Sequence, residues 1–168
     1  NPRNLGLTRS LNRGLQVSSG TYIARQDADD WSLPGRLEAQ VAYLEAHPHV
    51  GLVGLGSHWI DAEGVPVRDW QPETEPVVLQ QRLLWSMPFL HGTFLFRRAC
   101  LADLGGGYDE SMPVAQDCDL LLRLAERWEL ANLPEILYVF RMHDSSVTST
   151  HAAQQRLHLR RAEQAAVE

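Results

Sequence analysis

Apolar residues recur every three to four positions over Leu5–Ser19, where Leu7, Leu11, Leu15 and Val17 form a stripe; the spacing predicts an amphipathic helix that ends at Gly20. The short run Thr21–Arg25 then reads as a buried strand. An acidic cluster, Asp27, Asp29 and Asp30, sits at its C-terminal end. Pro34 opens the next helix, where a missing N–H costs nothing, with Leu37, Val41 and Leu44 as its inner face and His47-Pro48 closing it. Val50–Ile60 is β-rich, Asp61–Gly64 reads as a hairpin turn, and Val65–Trp70 returns.

Beyond the Pro72–Pro76 loop, Val77–Trp85 reads as a helix, Thr93–Phe96 as a buried strand, and Arg98–Leu104 as a short helix broken by Gly105-Gly106-Gly107. A longer helix over Gln116–Trp128 turns Leu120, Leu121, Leu124 and Ala125 inward, and Ile136–Phe140 is the last core strand. Arg141–Ser149 is a polar loop, and the Gln-, Arg- and Ala-rich stretch from Ala152 favours an exposed helix. Helices and strands alternate, so the class is an α/β layered sheet. A doubly wound sheet opens on a strand and a ligand-binding loop, whereas here the first element is a helix; the expectation is a fold whose first strands lie upstream. A start at Asn1 rather than Met points the same way.

Composition narrows the class. At 168 residues, 44% hydrophobic and 21% charged, the chain has one domain's worth of core. A net charge of -6 argues against a nucleic-acid-binding surface. All 15 cations are arginines, which reads as coding bias or as a phosphate-binding surface. Cys100 and Cys118 have no Cys-x-x-Cys partners and are expected to be reduced thiols. No apolar run approaches the ~20 residues of a membrane span, and no signal peptide is visible.

Carboxylates as crowded as Asp27, Asp29 and Asp30 repel one another, and a bound divalent cation is one relief. Mg²⁺ or Mn²⁺ suits an oxygen-rich site of one or two carboxylates plus substrate phosphates. The competing reading is a solvated turn in which Asp30 or Ser32 caps the helix at Pro34. An EF-hand is disfavoured, because its glycine and closing glutamate are missing at the required offsets.

The motifs Asn4-Leu5-Gly6-Leu7, Ser10-Leu11-Asn12, Ser19–Asp30, Pro34-x-Arg36-Leu37-Glu38-x-Gln40, His91-Gly92-Thr93, Arg97-Arg98, Gly106-Gly107-Tyr108, Gln116–Leu120 and Arg141-x-His143 follow one another in a familiar order. Together they resemble the inverting family 2 glycosyltransferases of the GT-A fold, over nearly all of residues 4 to 149. The resemblance implies a Rossmann-like mixed sheet flanked by helices, with residues 1–150 as the C-terminal part of the transferase domain and 151–168 as a helical extension. It implies transfer of a hexosyl-type sugar from a nucleotide-diphosphate donor to an acceptor hydroxyl.

Asp27, Asp29, Asp30 and His143 would then bind the donor diphosphate and its Mg²⁺ or Mn²⁺, with Asp29, Asp27 and His143 as ligands. Asp117 would be the general base. Gln116 stands where the family often has Glu or Asp. Arg25, His91, Gly106, Gly107, Gln116 and Arg141 would bind substrate, and Asp119 would be structural. Trp31 and Trp85 are candidates for a sugar ring or for the core. The family's opening strand, its Pro-x-Tyr-Asn-type loop and its Asp-Asp-Gly-Ser-like motif have no counterpart here. The implied nucleoside pocket is therefore incomplete, and the fragment alone is expected to be inactive. Implied partners are a nucleotide-sugar and a glycan or lipid-linked acceptor, in the cytoplasm and compatible with peripheral association at the inner membrane face. A non-catalytic carbohydrate- or protein-binding remnant of the fold is the alternative, and another metal-dependent phosphoryl or nucleotidyl transferase is a third reading that lacks any P-loop.

Overall fold

The structure, a computed structural model, describes residues 4–112 and 114–143. Over them the chain runs α1 (Leu7–Val17), β1 (Tyr22–Ala24), β2 (Trp31–Ser32), α2 (Arg36–Ala46), β3 (Val50–Ile60) and β4 (Pro66–Trp70). It continues through α3 (Pro76–Leu83), a 3-10 turn (His91–Thr93), β5 (Leu95–Arg97), α4 (Arg98–Asp103), α5 (Gln116–Ala125) and β6 (Glu129–Arg141). The strands make one sheet in the order β1-β5-β3-β6-β2, with β4 beside the outer half of β3. β3 and β6 pair in parallel along their length, and the other pairings are antiparallel. The expected helix from Ala152 lies outside the described residues.

β6 is longer than the apolar run Ile136–Phe140 predicts. Pro134 reads as a strand breaker, yet the register jumps from Leu55↔Leu133 to Gly56↔Ile136, so Pro134 and Glu135 bulge out of the ladder. A bulge is where a residue without an N–H can sit inside a strand.

The sheet is packed on both faces. On one face Leu52, Phe96 and Leu130 meet Leu79 and Leu83 of α3, Cys100 of α4 and Leu120, Leu121 and Leu124 of α5. On the other, Val53, Leu55, Leu95 and Leu133 pack with Leu44 of α2. Each buried aliphatic side chain contributes about 1.5–3 kcal/mol by leaving water. Both cysteines are free and buried. Leu11 and Leu15 of α1 pack on the first cluster. Val17, expected inside, is 78% exposed, because two residues past Leu15 lies on the far side of the helix.

The inner face of α2 departs from expectation. Leu37 is 50% exposed, and the buried positions are Arg36, Gln40 and Leu44, four residues apart. Hydrogen bonding explains this choice. The Arg36 guanidinium donates to the Arg25 carbonyl (2.8 Å), the Ser32 hydroxyl (2.9 Å) and Gln40 Oε1 (3.1 Å), and lies 4.9 Å from the Tyr138 ring centre. Gln40 Nε2 donates to the Val53 and Thr93 carbonyls (2.9 and 2.8 Å). Carbonyls of the loop after β1 and of the turn before β5 need buried donors, and α2 supplies them.

Arg36→Met keeps the volume and removes these donors, so it should lower unfolding free energy by about 3 kcal/mol. Leu37→Ala, on the exposed side, should cost less than about 0.5 kcal/mol. Urea denaturation of the two variants distinguishes them, and equal losses would restore the apolar-face assignment.

Candidate functional site

β1 delivers the chain to the acidic loop. The Arg25 N–H donates to the Phe94 carbonyl (2.8 Å), extending the β1–β5 pairing by one residue. The Arg25 side chain is then buried, and its two terminal nitrogens clasp both oxygens of Asp27. Asp29 lies half-exposed, its Oδ2 2.6 Å from His143 Nε2. Asp30 is buried, accepting from the Tyr138 hydroxyl at Oδ2 (2.8 Å) and from the Arg141 N–H at Oδ1 (2.8 Å). Burial pushes the Asp30 carboxyl above the ordinary carboxylate range against these two hydrogen bonds, and Asp27 and Asp29 add to the rise. One acidic cluster is thus divided among an ion pair, an exposed carboxylate–imidazole pair and a buried anchor.

The facing wall starts at α5. Ala115 takes a left-handed backbone (φ 58) that turns the chain into the helix, with Gln116 buried and Asp117 in the first turn. Burial raises the Asp117 carboxyl, and its Oδ1 accepts from the Cys118 N–H (3.0 Å). The Arg25 charge lowers it and the Asp27 charge raises it, both by less than burial does. Tyr108 is buried, and its hydroxyl sits 2.9 Å from His91 Nε2. Burial, with the Arg25 charge second, keeps His91 neutral.

Two close approaches fix this wall. Asn12 of α1 receives the Tyr108 N–H and donates to the Tyr108 carbonyl (both 2.8 Å), and a β-carbon on Gly107 would overlap Asn12 and Leu15. A β-carbon on Gly92 would overlap the Tyr138 hydroxyl. Gly106 adopts φ 149, so the glycine loop aims Tyr108 through its backbone.

Asp29 meets His143 and Arg25 holds Asp27, while the Arg141 backbone serves Asp30. The Arg141 guanidinium turns to the Ala62 carbonyl (2.7 Å) and lies 5.5 Å from the Trp31 ring. Asp119 pairs with Arg123 at 2.6 Å, the structural role expected of it. Trp85 is 64% exposed on the end of α3. Sequence reasoning missed Tyr138 and Asn12 as site-building residues. Tyr138 read as core strand and Asn12 entered only through its motif, whereas Tyr108 was already singled out in Gly106-Gly107-Tyr108.

Among the described residues, no group of three or more His, Cys, Asp and Glu converges as a metal site. The donors Asp29 and His143, one carboxylate and one imidazole at a half-exposed position, do fit a cation that completes its shell with phosphate oxygens and water. Asp27 is engaged by Arg25 and would join only by leaving it.

The model of Glycosyl transferase family 2 matches residues 1–105. The chain is 40% identical over 144 residues to the putative glycosyltransferase EpsE of Bacillus subtilis, covering 84% of this chain and 50% of that protein. It is 33% identical over 136 residues to the amylovoran biosynthesis glycosyltransferase AmsE of Erwinia amylovora, covering 80% and 50%. It superposes on the mannosyltransferase PcManGT of Pyrobaculum calidifontis, solved with GDP-Man and Mn²⁺, at a TM-score of 0.61 and 22% identity, covering 96% of this chain and 43% of that one. The fold is that of the GT-A glycosyltransferases. The chain spans about half the length of the relatives it matches.

Gly92→Ala should lower stability by about 1–3 kcal/mol, because the new methyl must displace Tyr138. Thermal unfolding reads this directly; an unchanged midpoint would contradict the close approach.

Proposed function

The chain belongs to glycosyl transferase family 2, and we propose that its site passes a sugar from a nucleotide-diphosphate donor to an acceptor hydroxyl with inversion. The observation that carries this reading is the half-exposed Asp29 carboxylate 2.6 Å from His143 Nε2, 114 residues away in sequence, with Asp117 in the first turn of α5. Asp117 takes the proton of the acceptor hydroxyl as that oxygen attacks the anomeric carbon from the face opposite the leaving group. The bond from the anomeric carbon to the diphosphate breaks in the same displacement, and the nucleoside diphosphate departs with the electron pair.

Asp29 and His143 would hold the diphosphate end through Mg²⁺ or Mn²⁺, which would supply positive charge to the departing group. Asp27 contributes to that end through its pair with Arg25. His91, Gly106, Gly107 and Gln116 form the acceptor wall, where neutral His91 fixes the Tyr108 hydroxyl. Arg141 closes the side nearest His143. Support for the donor class comes from PcManGT, solved with GDP-Man and Mn²⁺. The amylovoran biosynthesis role in the name of AmsE supports polysaccharide assembly, for which the acceptor would be a glycan or a lipid-linked sugar.

No helix among the described residues is long and apolar enough to cross a membrane. Since the chain spans about half of its relatives, transfer by the whole protein is part of this proposal.

In the whole protein, Asp117→Asn should lower kcat about 10²–10⁴-fold while metal-dependent binding of the nucleoside diphosphate persists. Burial favours the protonated acid, so activity should rise with pH through a midpoint above the ordinary carboxylate value, and Asp117→Asn should remove that limb. Unchanged turnover in the variant would refute Asp117 as the base. Donor binding without turnover in the wild type would favour a non-catalytic binding remnant.

A further inference from the structure

The Tyr138 hydroxyl occupies an unusual junction. It accepts from the Asp27 N–H (3.3 Å), donates to Asp30 Oδ2 (2.8 Å) and sits against Gly92, where no side chain fits. The other oxygen of Asp30 takes the Arg141 N–H (2.8 Å), two residues before His143. One buried carboxylate therefore ties the loop carrying Asp29 to the strand end carrying His143. Both of its oxygens are occupied by protein donors, and the side chain is buried, unlike half-exposed Asp29.

Resting on the site reading above, we propose that Asp30 and Tyr138 form a clasp of positioning residues that sets Asp29 against His143, and that Asp30 is not itself a ligand of the cation or diphosphate. β2 places Ser32 opposite Tyr138, so the strand pairing and the clasp fix the same register. The Arg36 guanidinium, close to the Tyr138 ring and bonded to the Arg25 carbonyl, backs the arrangement from below. Losing the hydroxyl would free the Asp27 N–H and leave Asp30 with a single donor, so the loop would lose its stop while the sheet stays intact.

The test compares the whole wild-type protein with its Tyr138→Phe, Asp30→Asn, Asp30→Ala and remote core Leu79→Ala variants. Calorimetry measures Mn²⁺-dependent binding of UDP and GDP, and ¹⁵N NMR without ligand reads the His143 imidazole. Tyr138→Phe and Asp30→Ala should weaken binding about 10-fold or more, as loss of groups that orient metal ligands does. Asp30→Asn keeps an acceptor for the Arg141 N–H and should stay within about 3-fold of wild type. Leu79→Ala should lower the unfolding midpoint without loss of affinity.

The His143 shifts should move in Tyr138→Phe and not in Leu79→Ala. Equal binding losses in Asp30→Asn and Asp30→Ala would make Asp30 a ligand and overturn the proposal. Unmoved His143 shifts in Tyr138→Phe would overturn it as well. If the wild type binds neither diphosphate while those shifts move, the clasp stands and the donor-site reading falls.

Discussion

A guanidinium buried to 2% exposure with only neutral partners is the constraint on which the rest of this structure depends. Arg36 has a backbone carbonyl, a hydroxyl, a side-chain amide and an aromatic face around it. Burial lowers its pKa, and the like charge of Arg25 acts in the same direction. Such a cation is tolerated only where its acceptors are held in place, because each lost hydrogen bond leaves part of a charge desolvated. Stabilising Arg36 therefore requires α2, the end of β1 and Tyr138 to keep one arrangement. The acidic loop lies above that arrangement and inherits its rigidity.

The loop is where electrostatics become chemistry. Three aspartates within four residues could not all remain ionised side by side without compensation. The structure gives each a different answer: Arg25 for Asp27, His143 for Asp29 and burial with two donors for Asp30. Asp29 alone keeps appreciable exposure next to an imidazole, so the half that faces solvent is the half suited to a hydrated cation. Across the site, Asp117 is made a better proton acceptor by the same burial that raises its carboxyl. Carboxylates of similar intrinsic acidity thus acquire separate tasks from their surroundings.

Much of this was legible in the sequence. Val50–Ile60 and the Gly64 turn were read at their observed positions, because period and turn chemistry are local. Ordered motifs singled out the acidic cluster, Asp117 and His143 as candidates, and in the structure Asp29 meets His143. The inward face of α2 was missed for a physical reason: Leu37 looked like core, while the buried residues were chosen by carbonyls distant in sequence. Pro134 hid the first half of β6, since a bulge depends on the partner strand. Asp30 was grouped with Asp27 and Asp29 at the diphosphate or read as a helix cap, and only the donors from Tyr138 and Arg141 reveal it as a buried anchor. Contacts between residues a hundred positions apart leave no local pattern to read.

A crystal structure of the protein with Mn²⁺ and a nucleoside diphosphate, phased to show the anomalous signal of the metal, tests the central claim most directly. The account predicts one Mn²⁺ peak bonded to Asp29 and His143, the diphosphate on its solvent side, Asp30 still bonded to Tyr138, and the Asp117 carboxyl facing the position of the sugar. A peak bonded to Asp30, or a diphosphate bound away from the Asp29–His143 pair, would contradict it.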